Sequence, residues 1–299
     1  MTPTESDDAY HLDRAGVRAA FDRASASYDA AAVLQARVRE ELLARVDMLK
    51  LEPRIVVDLG AGTGIATAEL KRRFRRATVI ALDISPGMLE RARNRSGFLR
   101  RFERVCADAE RLPLKDASVD LVFSNLMLQW SDVPDGVFAE VRRTLKPEGF
   151  FAFTTFGPDT LRELRAAWAA ADGFTHVNRF IDMHDIGDAL VRAGLTEPVL
   201  DVERFTLTYT DALALMRDLK TIGAHNVTAG RPRGLTGRGR LQRMIDAYEA
   251  LRQDGRLPAS YEVIYGAAWG AAGRPAAPVV GGEVRIAPGT IRRRSPPGG

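Results

Sequence analysis

Residues 56–64 read VVDLGAGTG, a run that can hold a charged small molecule against bare backbone. Gly60, Gly62 and Gly64 follow a β-branched stretch, as in the turn that cradles a dinucleotide. That fingerprint is G-x-G-x-x-G, whereas the spacing here is G-x-G-x-G followed by Ile65. Asp58 stands two residues before the first glycine, where a carboxylate would repel a pyrophosphate and suit a ligand bearing an ammonium or sulfonium. Nineteen residues past Gly64, Asp83 ends a second apolar run and can accept both hydroxyls of a ribose, a feature dinucleotide sites share. Asp108, after a third run, can meet an adenine amino group. Three acids at three successive strand tips make a consistent nucleoside site; the alternative is three unrelated solvated acids.

Strands must carry those acids, and residues 54–155 supply short β-branched runs alternating with helical patterns. RIVVDL, ATVIALDI, FERVCAD, VDLVFSN and GFFAFTTF read as strands, the last after a Pro147-Glu148-Gly149 turn. GIATAELKRRF, SPGMLERAR and VPDGVFAEVRRTL read as helices, with Ser85 capping the second and Pro86 at its first position. Such alternation predicts an α/β fold whose parallel sheet is covered on both faces. Residues 14–50 carry apolar side chains at helical spacing. After residue 156, helices are expected in DTLRELRAAWAAA, DIGDALVRAG, DALALMRDLKTIG and GRLQRMIDAYEALRQ, and late strands in VERFTLTYT and YEVIYGAAW. The expected organisation is a helical lid segment over 1–50 and a main domain over 51–269. Helical insertions fall at about 157–195 and 210–252, and a disordered Gly/Pro/Arg tail covers 270–299.

Composition narrows the partners. The 299 residues are 45% apolar and 27% charged, as in ordinary soluble globular proteins, and contain no run of eighteen apolar residues for a membrane span. A single cysteine, Cys106, allows no intrachain disulfide and is expected to be a buried strand residue. The polar, acidic start MTPTESDDAYHLD resembles neither a secretory nor a transit sequence, so a cytoplasmic setting is expected. The sequence pI of about 9.4 invites a nucleic-acid reading. Of 43 basic and 39 acidic residues, however, five and one fall in 271–299, leaving 38 of each sign before the tail. A neutral body argues against nucleic acid.

VVDLGAGTG, ALDISPGML, CADAERLPL and VDLVFSNLMLQW together resemble, in order and spacing, the motifs of class I S-adenosylmethionine-dependent methyltransferases. The resemblance implies a Rossmann-like, doubly wound, mostly parallel seven-stranded sheet with its last strand antiparallel, and S-adenosyl-L-methionine as cofactor. By position it implies that Gly60, Ala61, Gly62 and Gly64 line the methionine and ribose, beside Asp58. Asp83 would hold the ribose, with Ile84 adjoining and Met88 on the adenine. Asp108 and Ala109 would lie at the adenine edge, and Asn125 and Leu126 beside the methionine moiety. FDRASASYDAAAVLQ, FGPDTLRELRAAW, HVNRFIDMHDIGDAL and MRDLKTIGAHNVTAGR extend the likeness, over about residues 18 to 269, to the malonyl-[acyl-carrier protein] O-methyltransferases of biotin synthesis. A complex I assembly factor that hydroxylates arginine shares DTLRELR, but the Asn-Arg-Phe triplet speaks against it. A methyltransferase of another small acceptor, such as a quinone precursor or aconitate, is the remaining alternative.

Methyl transfer to a carboxylate needs no general base, because a group of pKa about 4 is already ionised at pH 7. It needs alignment, and a cation to hold the acceptor's charge. The resemblance points to Arg179 in VNRFID; a salt bridge to Asp182 or Asp185 is the bland reading. Tyr28 is either a lid residue over the methyl group or a helix residue packing on the core. Gln129 and Trp130 are expected in the acceptor pocket, Trp130 alternatively as a core anchor, and His225 as a hydrogen-bonded loop residue rather than a base. His176, His184, Asp182 and Asp185 match no metal-ligand spacing, so no metal is expected. Leu219 to Ile245 contain no acid but hold Lys220, Arg231, Arg233, Arg238, Arg240 and Arg243. This basic stretch is expected to dock an acidic malonyl-acyl carrier protein, with malonyl-coenzyme A as the other possible acceptor.

Overall fold

The β-branched runs pair into one sheet in the computed structural model, which describes residues 12–97, 100–131, 134–224 and 236–271. Its strands are β1 (Ile55–Leu59), β2 (Thr78–Asp83), β3 (Glu103–Cys106), β4 (Val119–Asn125), β5 (Leu145–Phe156), β6 (Thr196–Tyr209) and β7 (Leu257–Trp269), in the order β3-β2-β1-β4-β5-β7-β6. β1 to β5 pair in parallel, while β7 runs antiparallel to both β5 and β6. Strand order reverses between β1 and β4, and the crevice beyond the carboxyl ends at such a switch point is where open α/β sheets bind ligands.

Central strands are apolar on both sides because both sides are covered. Val56, Leu121, Phe123 and Ala152 pack with α3 (Val33–Asp47) and α4 (Ile65–Arg73). Val57, Val122, Phe151 and Phe153 pack with α6 (Pro134–Thr144) and α8 (Met183–Arg192) on the opposite side. Phe138 of α6 sits edge-on to Phe151, with ring centroids 6.0 Å apart, and such a pair contributes about 1 kcal/mol beyond its buried area. Gly266 of β7 lies opposite Phe153, whose ring would be 2.1 Å from any added Cβ. α5 (Pro86–Arg93) starts as its sequence predicts: the Ser85 hydroxyl accepts the Met88 N–H at 3.1 Å, with Pro86 in the first turn. The later helices α7 (Arg162–Ala169), α9 (Ala212–Thr221) and α10 (Arg238–Glu249) complete the helical complement among the described residues.

Residues 14–50 are helical as expected, in three pieces, α1 (Arg14–Ala24), α2 (Tyr28–Ala31) and α3, with the Ser25 and Ser27 hydroxyls on the Asp22 and Ala24 carbonyls at the first break. Two features depart from expectation. The Pro147–Gly149 turn is a bulge inside β5: pairing steps from Val119 with Leu145 to Leu121 with Phe150. Cys106 is exposed, not buried, because β3 is an edge strand. No helix among the described residues is long and apolar enough to cross a membrane.

Candidate active site

The glycine turn leaves β1 and crosses the end of β2. Gly60 and Ala61 N–H groups both donate to the Leu82 carbonyl, at 2.8 and 3.0 Å, and Gly62 N–H donates to Asp83 Oδ2 at 2.8 Å. Gly60, Gly62 and Gly64 all have left-handed φ, +77°, +54° and +79°. Their roles differ. A Cβ on Gly60 would lie 2.4 Å from Met127 Cγ, and one on Gly64 would lie 2.7 Å from Ala92 Cβ, so Gly64 lets α5 approach the loop. A Cβ on Gly62 would meet no atom within 4 Å: this glycine faces open cleft.

That cleft is lined by Gly60, Gly62, Asp83, Ile84, Met88, Asp108, Ala109, Asn125 and Leu126, bringing together most of the expected cofactor residues. A smaller cavity adjoining it is lined by Asp58, Ala61, Asn125 and Arg39. Asp58 is 1% exposed and accepts the Thr67 hydroxyl. Burial pushes its carboxyl up to about 7, with the Thr67 bond pulling back and the Asp83 charge adding to the rise. Asp83 accepts the Ser85 and Gly62 N–H groups, yet burial still holds its carboxyl above its ordinary value. Arg39 was not expected here. Its Nε is buried without a hydrogen bond among the described residues, 3.8 Å from Glu69. A buried carboxylate and a guanidinium on the walls of one small cavity match the two charges of an α-amino acid.

The N-terminal helices close over this cleft through polar contacts with the sheet domain. Arg14 pairs with Asp108 at 3.0 Å and with Glu110. Asp22 accepts the Ser85 hydroxyl and the Gly87 N–H, Asp29 accepts the Thr63 hydroxyl and pairs with Arg95, and Asn125 Nδ2 donates to the Gln35 carbonyl. Asn125 also takes the Thr154 hydroxyl at 3.0 Å, and Leu126 turns at φ +52° with its N–H on Thr154. A non-glycine residue in that conformation stores strain at a strand tip between two cavities. Tyr28 lines the cleft, the smaller cavity and the chamber described next. Burial, then the charges of Asp83 and Asp29, hold its phenol well above the ordinary value.

Beside the cleft lies a largely apolar chamber, which includes Gln129, Trp130, Phe156, Leu164, Asn178 and Tyr261. Trp130 packs edge-on against Phe21 at 5.1 Å. His176, also on the chamber wall, stacks on Trp168 and bonds Asp172 at 2.8 Å, while His184 bonds Asp182. Arg179 lines a neighbouring open groove with Asp182 and Asp185; Gln129, Phe156 and Phe180 border both groove and chamber. Of the basic stretch, Lys220 and Arg238 are exposed on α9 and α10. Arg240 pairs with Asp172 at 3.6 Å, and Arg243 donates to the Ala171 carbonyl. His225, Arg231 and Arg233 lie outside the described residues, as do residues 272–299 of the tail.

A glycine turn without the dinucleotide spacing, acids at the β1 and β2 tips and after β3, and a β7 inserted antiparallel define the Rossmann-like S-adenosylmethionine-dependent methyltransferases. Residues 57–153 match the family model described as "Methyltransferase domain". Solved structures agree at the level of fold: that of a candidate methyltransferase from Bacillus halodurans C-125 superposes with a TM-score of 0.55 at 18% identity, covering 77% of this chain and 97% of that one. The YcgJ protein of Bacillus subtilis gives 0.53 at 19% identity, over 78% and 99%. Much nearer in sequence are the malonyl-[acyl-carrier protein] O-methyltransferases of Methylovorus sp. (strain MP688), 56% identical over 91% of this chain and 94% of that protein, and Laribacter hongkongensis (strain HLHK9), 55% identical over 90% and 93%. That of Halorhodospira halophila is 51% identical over 96% and 98%. The chain belongs to the malonyl-[acyl-carrier protein] O-methyltransferase family. Its cofactor is S-adenosylmethionine, which the residues present fit: open space at Gly62, Asp83 at the tip of β2, and Asp58 and Arg39 on the walls of one cavity.

Proposed function

We propose that the protein methylates the free carboxylate of a malonyl thioester on acyl carrier protein, giving the methyl ester that primes biotin synthesis. The observation that carries this reading is the junction of the two cavities: Phe21, Tyr28, Leu126 and Trp130 line both the cofactor cleft and the apolar chamber. S-adenosylmethionine, when bound, supplies a sulfonium methyl group for in-line displacement by a carboxylate that is already ionised.

The chain's own residues do the rest. Asp58 would take the ammonium and Arg39 the carboxylate of the amino-acid end; Asp83 would accept the ribose hydroxyls, and Met88, Asp108 and Ala109 would border the adenine. Tyr28 and Phe21 exclude water from the junction, which strengthens every charge interaction inside it. Arg179 orients one malonyl oxygen across the wall formed by Gln129 and Phe156, leaving the other free to attack, since a carboxylate clamped through both oxygens is a poorer nucleophile. Exposed Lys220 and Arg238 attract the acidic carrier. Arg240 has a further task, tying α10 to Asp172.

Labelled S-adenosylmethionine tests this directly, with malonyl-carrier protein, malonyl-coenzyme A and free malonate as acceptors. A base-labile methyl ester on the carrier-bound substrate, sharply reduced in Arg179→Ala, is the expected result. Transfer to none of the three would overturn the reading. Reversing Lys220 and Arg238 to glutamate should raise KM for the carrier-linked substrate while leaving the fold intact.

A further inference from the structure

One polar atom on a residue of the chamber wall has no partner among the described residues. Asn178 is 8% exposed and lines the chamber, and its Oδ1 is buried without a hydrogen bond among the described residues. Neighbouring polar groups are engaged. Gln129 Nε2 donates to the Leu126 carbonyl, His176 Nε2 bonds Asp172, and the Thr160 hydroxyl donates to the Glu262 carbonyl while accepting its N–H. Buried carbonyl oxygens are nearly always paired, so an orphan on a cavity-lining side chain points to a ligand's donor, reached by a turn of the Asn178 amide toward the chamber.

On the functional reading above, the acceptor's chemistry says which donor that is. A malonyl group at neutral pH offers only acceptors, its carboxylate and its thioester carbonyl, and both would repel Oδ1. The arm that carries it is a chain of amides, whose nearest N–H lies two carbons from the sulfur. We propose that Asn178 Oδ1 accepts that amide N–H, so that the chamber reads the pantetheine arm rather than the malonyl group. The adjacent Arg179 lines the groove across Phe156 and Phe180, and the two neighbours divide the acceptor between arm and charge. Asn178 is thereby a specificity-determining residue, favouring arm-borne thioesters over free malonate.

The test uses two acceptors, S-malonyl-pantetheine and its analogue in which oxygen replaces the N–H nearest the sulfur. With wild-type enzyme the analogue should lose about tenfold or more in kcat/KM, mostly through KM. Asn178→Leu should lose a similar factor on the amide substrate and then treat the two acceptors alike. S-adenosylhomocysteine binding and a thermal melt establish that the variant is folded. Equal use of the two acceptors by wild-type enzyme, a comparison that needs no variant, overturns the proposal and leaves the functional reading standing. Retained discrimination in Asn178→Leu also overturns it. No methylation of either thioester by wild-type enzyme refutes the functional reading and the proposal with it.

Discussion

Replacing Asp58 with asparagine separates the cost of a buried charge from its use. Asp58 is 1% exposed, and burial pushes its carboxyl from 3.8 to about 7 in spite of the Thr67 hydroxyl bond. A carboxyl with a higher pKa in the fold than in the open chain holds its proton better when folded. Its contribution to stability is therefore complete below about pH 3.8 and lost as pH rises through about 7. At 1.36 kcal/mol per pH unit, the loss between pH 5 and pH 8 is about 3 kcal/mol. Asparagine has no such proton, so Asp58→Asn should gain about 3 kcal/mol relative to wild type over that interval. Any fixed cost of seating the amide cancels in the difference. Urea melts of the cofactor-free protein at the two pH values measure it. A wild-type-to-variant difference that stays constant from pH 5 to pH 8 would refute the reasoning. The use of the charge shows in the opposite direction: the variant should bind S-adenosylmethionine more weakly, and wild-type affinity should rise with pH through 7 as the carboxylate ionises.

Other substitutions resolve the remaining roles. Gly60→Ala and Gly64→Ala, whose added carbons would sit 2.4 and 2.7 Å from Met127 and Ala92, should each cost about 2–4 kcal/mol in a thermal or urea melt. Gly62→Ala should cost only about 1 kcal/mol, from its left-handed backbone, while weakening cofactor binding measured by calorimetry. Arg39→Met should lower S-adenosylmethionine affinity about tenfold or more with little change in Tm; unchanged affinity would remove it from the site. Because the Tyr28 phenol is held well above its ordinary value, kcat should show no rising limb between pH 8 and pH 10. A rise near pH 9–10 that disappears in Tyr28→Phe would make Tyr28 a base.

The alternation of strands and helices and the three acids are legible in the sequence because each rests on a local signal: β-branched runs, glycines, a carboxylate beside them. Arg39 and Asn178 leave no such trace. Arg39 is one of several arginines on an amphipathic helix, and only the approach of α3 to the glycine turn sets it apart from Arg37 or Arg45. Asn178 stands beside the more conspicuous Arg179, and which of the two meets the apolar chamber depends on how 172–182 crosses the end of β5. Gly64 carries the motif's spacing but acts on Ala92, a contact made in space. The exposure of Cys106 follows from strand order, which an apolar run does not encode.

The position of β7 sets a problem for the growing chain. β5 ends at Phe156, and the strand that pairs with its outer edge begins at Leu257, about a hundred residues later. β6 is synthesised in between, runs in the same direction as β5, and so offers a plausible parallel mispairing that would shut β7 out. Non-local pairings of this kind are slow to form and leave a strand edge open to other chains while they wait. β7 is thus a keystone: until it slides between its two neighbours, a newly made molecule has an adhesive flank, and chaperone demand should centre on that interval.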